Sequence, residues 1–258
     1  MKDENVTHVV IALIAFLCIF CSALLGLYLR GRLPEHHLSE DSTSAIKLAT
    51  GLIATIAALV LGLLISSAKG TFDTVKGELV HNAASIVRLD RLLSEYGPPT
   101  QELRGTLKRD YAWWVDLLAS SDAFRSARLD NPEISSRMEE FRRKLADLSP
   151  ATPAQNEIQA RALQISDEIY EARLRALLER QGSIAMPLLV VLVSWLAIIF
   201  GAFGLLAPRN RTIVVAFFLC ALSASGAILL ILEMDTPLNG VISVSLGPMR
   251  EALSQLGN

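Results

Sequence analysis

The 258-residue sequence predicts an all-α membrane protein, with four transmembrane helices in two hairpins and a helical extramembrane domain inserted between spans two and three. Three observations carry that expectation. Four runs of bilayer length carry no charge. Most of the charges lie between the second and third runs. The segment that holds them is punctuated and spaced as helices. Hydrophobic residues make up 52% of the chain and charged residues 19%, and the mean hydropathy is +0.41. Those values exclude a disordered chain, a nucleic-acid-binding tail and a disulfide-stapled miniprotein. They also argue against an ordinary soluble enzyme, which carries about 25% charged residues.

A hydrocarbon core about 30 Å thick takes about 20 residues of helix. The uncharged runs are Val6 to Leu29 (with His8 near its start), Leu48 to Ala68, Gln181 to Pro208 and Thr212 to Leu232. They predict spans near 6–29, 48–68, 185–207 and 212–232, the third starting near Pro187. The leader Met1-Lys2-Asp3-Glu4 is net acidic and the first run is long, so this run is expected to stay as a span and not be removed as a signal peptide. Cys18, Cys21 and Cys220 fall inside spans and read as small apolar residues.

The spans pair through Arg30 to Lys47 and through Pro208 to Arg211. This puts both hairpin loops on one face and both termini with the insertion on the other. Near the span ends the hairpin face carries Arg30, Arg32, Lys47, Arg209 and Arg211. The other carries Lys2, Lys69, Lys76, Arg88, Arg173, Arg175, Arg180 and Arg250, which favours a cytoplasmic insertion. The expected division is 1–68 as the first hairpin, 69–182 as the helical domain, 183–235 as the second hairpin and 236–258 as a tail with a short helix.

Segment 69–182 holds 17 Lys and Arg and 18 Asp and Glu. Gly97-Pro98-Pro99 ends one helix. Asn131-Pro132 and Thr152-Pro153 each read as an N-cap followed by proline in the first turn. Apolar residues recur at helical spacing: Leu79, Ala83, Ile86 and Leu93; then Leu103, Leu107, Tyr111, Trp114 and Leu118; then Ile158, Ala162, Ile165 and Ile169. Four helices are expected, near 72–96, 100–120, 132–148 and 153–181. No strong breaker separates the second span from the first of them, so one helix from about Ser39 to Tyr96 is expected. Only Val241 to Ser245 alternates as a strand does.

Catalytic signatures are absent from the sequence: there is no phosphate loop, no His-Glu-x-x-His, no paired Cys-x-x-Cys motifs and no Gly-x-Ser-x-Gly. No catalytic residue, metal site or cofactor is expected. His36 and His37 read either as a proton or metal site at the membrane surface or as an interfacial loop. Trp113 and Trp114 read as an interaction anchor or as domain core. Glu233 and Asp235 read as a cation site or as a solvated helix end, and two carboxylates are few for calcium. In the second span Gly51, Thr55, Ala58, Gly62, Ser66 and Lys69 share one helical face. Such a face serves close helix packing in lipid or, in an oligomer, borders an ion path with Lys69 at its mouth. The fourth span has its own small cluster, Cys220 to Ala227.

Longer motifs add a resemblance. They are Leu33-Pro34-Glu35-His36-His37-Leu38, Lys47-Leu48, Gly51 to Thr55 and Leu59 to Leu64, then Leu89-Asp90-Arg91 with Tyr96-Gly97-Pro98. Glu233 to Pro237 with Gly240, Val244-Ser245 and Pro248 to Leu253 complete the set. Through nearly its whole length the chain resembles the bacterial bestrophin-like membrane family. Bestrophins proper are pentameric, largely anion-conducting channels with four spans per subunit, cytosolic termini and a helical cytosolic domain. Their second span lines the pore with a hydrophobic neck, and eukaryotic members bind calcium at an acidic clasp after the fourth span. This chain lacks the run of consecutive acids. It has Ile56, Leu59 and Leu63 where the neck is aromatic, so calcium gating and ion selectivity do not carry over.

The resemblance implies a homo-oligomeric, pentameric ion channel of a bacterial inner membrane, passing anions in preference to cations. Its pore would be lined by Gly51, Thr55, Ala58, Leu59, Gly62, Ser66 and Lys69. His36, His37, Asp90, Arg91, Glu233, Asp235, Pro237 and Gly240 are its motif residues. The implied partners are the lipid bilayer, further copies of the chain and inorganic ions, without nucleic acid. The rival expectation is a non-conducting scaffold or stress-signalling protein acting through its helical domain.

Overall fold

A computed structural model describes residues 2–33, 39–119, 132–179, 186–237 and 243–257. The described residues are mostly helical, with no strand among them; 243–246 are irregular. In chain order the α-helices are α1 (Lys2–Arg30), α2 (Glu40–Tyr96), α3 (Gln101–Ala119), α4 (Pro132–Ala146), α5 (Pro153–Glu179), α6 (Met186–Leu206), α7 (Arg211–Asp235) and α8 (Gly247–Gln255), with a 3₁₀ turn at Pro98–Thr100. Four of them, α1, α2, α6 and α7, are long and apolar enough to cross a membrane.

The helix ends follow the sequence punctuation. Asn210 caps α7 by accepting the Ile213 N–H at 2.8 Å. Thr152 accepts the Gln155 N–H at 3.2 Å while the Gln155 amide oxygen accepts from Ala151 N at 2.9 Å, a reciprocal cap ahead of Pro153. Gly97 stops α2 at a φ of +109°, a conformation that favours glycine. There the Thr100 hydroxyl donates back to the carbonyls of Leu93 and Gly97.

The chain divides into two compact units, one holding 73–182 with 243–258 and the other 2–72 with 183–242. Among the described residues the first is built on one apolar core. Ile86, Leu89 and Leu93 of α2 meet Leu103, Leu107 and Tyr111 of α3, Phe141 and Leu145 of α4, and Ala162 and Ile165 of α5. Met249, Ala252 and Leu256 are buried in the same core, so the C-terminal helix is part of this unit. Trp114 packs against it, and Trp113 carries the Arg137 guanidinium 4.8 Å above its ring. Gln159 closes the end of α4 by donating to the carbonyls of Leu145, Ala146 and Leu148.

In the second unit α1 lies against α6 along its small residues. A β-carbon at Gly26 would fall 2.1 Å from the Gly201 carbonyl oxygen, and one at Gly204 would fall 2.1 Å from that of Ala23. The Ser22 hydroxyl donates across the seam to Ala197 O at 2.6 Å. With no side chain between them the backbones approach to a distance that apolar helices in lipid reach through small residues. The spanning part of α2 packs through Ala57, Leu64 and Ala68 against Leu192, Ile199 and Ile231 of α6 and α7.

Candidate functional site

Helix α2 has 3.6 residues per turn, so burying Thr50, Ala57, Leu64 and Ala68 turns the opposite side outward. On that outward side are Gly51, Thr55, Ala58, Leu59, Gly62, Ser66 and Lys69, all exposed in the chain. A β-carbon at Gly51 or Gly62 would meet nothing within 4 Å. The Thr55 hydroxyl is turned onto its own helix, donating to Gly51 O at 2.9 Å. Leu52, Leu59 and Leu63 stand 65–70% exposed beside these small residues. The face alternates small and apolar groups and ends at a lysine. Among the described residues, no helix packs over Gly51 or Gly62 on this face.

The motif residues fall in both units. Asp90 lies on α2, beyond the membrane-spanning part, and is 4% exposed. It accepts Arg104 Nε at 2.8 Å and Nη2 at 2.9 Å, and the Gly257 N–H at 3.2 Å. Burial alone would raise its carboxyl. The Arg104 bonds, the Gly257 N–H and the positive charges of Arg104 and Lys108 outweigh that and hold it below the usual carboxylate range. The same pairing raises the Arg104 guanidinium. Lys108 also donates to Leu256 O at 2.7 Å. Asp90 is thus a fastening point that ties α3 and the chain's C-terminal end to α2. Its neighbour Arg91 is exposed and lines a cleft of about 510 Å³ with Val87, Ser94, Glu95, Arg104 and Gln255.

In the other unit Glu233, 3% exposed, has its Oε1 3.4 Å from His8 Nδ1. Asp235 ends α7, and Pro237 is buried just after it. His36, His37 and Gly240 lie outside the described residues. Among the described residues no group of three or more His, Cys, Asp or Glu side chains could hold a metal ion. The three cysteines are free and exposed on the spans.

Sequence reasoning missed the partners. In the sequence His8 reads only as a polar residue near the start of a span, and nothing marks Arg104, Lys108 or Gly257. Their contacts join residues 14, 167 and 225 positions apart, where no periodicity reports a pairing. The packing glycines Gly201 and Gly204 did carry a signal, being spaced three apart in an apolar run.

A Bestrophin-like domain matches residues 7–249. The chain belongs to the Bestrophin-like family. Its four apolar helices make it a membrane protein of that family, which is known for channels rather than enzymes. No curated protein and no solved structure matches the chain. The match to this Bestrophin-like domain spans the outward face of α2 and the Asp90–Arg104 pair.

Proposed function

We propose that this Bestrophin-like protein is a homo-oligomeric ion channel, a pentamer, in which the outward face of α2 lines the pore. The observation that carries this reading is the open space at Gly51 and Gly62. Glycines kept for packing within the subunit are pressed against backbone, as Gly26 and Gly204 are, and these two are not. Gathered around an axis, Gly51, Thr55, Ala58, Gly62 and Ser66 leave room for an ion. Leu59 forms an apolar constriction that gates by dewetting. Lys69 brings positive charge to one end and favours inorganic anions.

The same reading puts the four spans in two hairpins in a bacterial inner membrane, with the termini and the helical domain in the cytoplasm. The division is 1–68, 69–182, 183–235 and 236–258. The test is ion flux in liposomes reconstituted with purified oligomer. Wild-type protein passes chloride above empty liposomes, and Gly62→Leu or Ser66→Leu cuts the flux without loss of fold. Folded, oligomeric protein with no flux above empty liposomes overturns the channel. It would favour a scaffold or signalling protein acting through the helical domain, where the Arg91, Ser94 and Glu95 cleft offers a polar contact surface.

A further inference from the structure

Three guanidinium groups make their contacts at the ends of α1 and α6. Arg209 donates from Nε to Leu27 O at 2.9 Å and from Nη2 to Tyr28 O at 2.8 Å. Arg30 donates in the other direction, from Nη1 to Leu206 O at the end of α6. Arg32 lies over the Tyr28 ring, 4.8 Å from its centroid. Arg211 follows Arg209 by two residues as the first residue of α7. Gly31 makes room for the cluster, because a β-carbon there would fall 2.2 Å from the Arg209 guanidinium.

Capping accounts for part of this arrangement. The last carbonyls of a helix lack intrahelical donors and carry partial negative charge, so Arg30 and Arg209 are well placed on them. It accounts for neither Arg32 nor Arg211, and it uses only two of the five N–H donors of Arg209. Arg211 stands at the positive end of the α7 dipole, where a cation is disfavoured. Among the described residues no carboxylate pairs with any of the four arginines. Four arginines at this one end of the spans, with no carboxylate among the described residues set against them, call for an anion. Phosphate oxygens fit the guanidinium fork in pairs.

The surroundings select the source of that phosphate. The uncharged runs of α1, α6 and α7 all end or begin at this turn, which sets it at the edge of the hydrocarbon layer. Leu25, Leu29 and Leu33 are exposed beside it and offer apolar surface to an acyl chain. We propose that this end of α1, α6 and α7 binds the phosphate of an anionic phospholipid headgroup. Arg32 and Arg211 grip it, and Arg209 is fixed in place by the Leu27 and Tyr28 carbonyls.

The experiment is native mass spectrometry of the full chain, stripped of lipid in a nonionic detergent and titrated with dioctanoyl phosphatidylglycerol, dioctanoyl phosphatidylcholine or inorganic phosphate. Phosphatidylglycerol is expected to bind more tightly than phosphatidylcholine, and each of Arg32→Gln and Arg211→Gln to weaken it about fivefold. Neither residue caps a helix, so both variants should fold. Gly31→Ala keeps every charge but displaces Arg209, and it too should weaken binding. Equal binding of the two lipids, or phosphatidylglycerol binding untouched by all three variants, overturns the site. Inorganic phosphate that binds as tightly as phosphatidylglycerol and displaces it overturns the lipid assignment.

Discussion

Gly26, Gly201 and Gly204 sit where α1 and α6 meet backbone to backbone, whereas Gly51 and Gly62 sit on a face of α2 with nothing within 4 Å of where a β-carbon would be. In sequence the two sets look alike: glycines among alanines, serines and leucines in uncharged runs. A glycine in a helix interior costs about 1 kcal/mol relative to alanine. At α1 and α6 close contact offsets that cost inside one subunit. At Gly51 and Gly62 of α2 no contact among the described residues does so. The comparison teaches that small residues in a span have to be sorted by what they touch.

The largest effect should come from closing the α1–α6 seam. Gly204→Leu drives a side chain into the Ala23 carbonyl, with helix backbone on both sides and no flexible group to yield. The helices must part, at a cost of about 3 kcal/mol or more. That is a large share of a total stability of about 5–15 kcal/mol. Thermal unfolding in detergent should show the variant melting far below wild type. A melting temperature within a few degrees of wild type would mean that the seam is not as close as described.

Next comes the polar fastening of the helical unit, where the last part of α2 buries one charged residue, Asp90, among exposed ones. Asp90→Ala leaves Arg104 without its carboxylate and the Gly257 N–H without an acceptor, and should cost about 3 kcal/mol. The pH dependence has a definite sign. Because the native structure holds the Asp90 carboxyl below its ordinary value, the pairing stabilises the fold above the usual carboxylate range. That contribution is lost as pH falls through the lowered value. Fluorescence of Trp114, which packs on this core, should report acid unfolding that begins at higher pH in Asp90→Asn than in wild type. Identical acid transitions in the two proteins would show that Asp90 contributes nothing to it.

These residues also mark how far the sequence could be read. The uncharged runs from Val6 and Leu48 announced spans because a bilayer imposes a length. The unbroken helix Glu40–Tyr96 followed from the lack of any breaker stronger than glycine before Gly97-Pro98. Asp90 was visible as a motif residue and its role was not. A role needs Arg104, and Gly257 far along the chain, which no local pattern joins to it. The C-terminal helix was expected as a short helix of the tail, yet Met249 and Leu256 are fully interior, since nine residues of moderate amphipathicity do not name the core they enter. For the α2 face the limit was different. Its spacing was evident, but spacing alone could not separate helix packing from an ion path.

The smallest change tests that face most sharply, because its expected sign is opposite to that of the α1–α6 seam. Gly204→Ala forces a contact and destabilises. Gly62→Ala adds a methyl group into open space and removes the flexibility of glycine, so it should stabilise the helix by about 0.5–1 kcal/mol. If the chain assembles as proposed, the outcome depends on where position 62 looks. If it faces a lumen, the gain in thermal stability persists and ion flux falls, because each subunit narrows the path by a methyl group. If it is buried between subunits, the variant loses stability and dissociates more readily on a sizing column, and the pore must lie elsewhere. If it faces lipid, stability rises and flux is unchanged. Measuring melting temperature, oligomeric state and flux on this one variant separates the three arrangements.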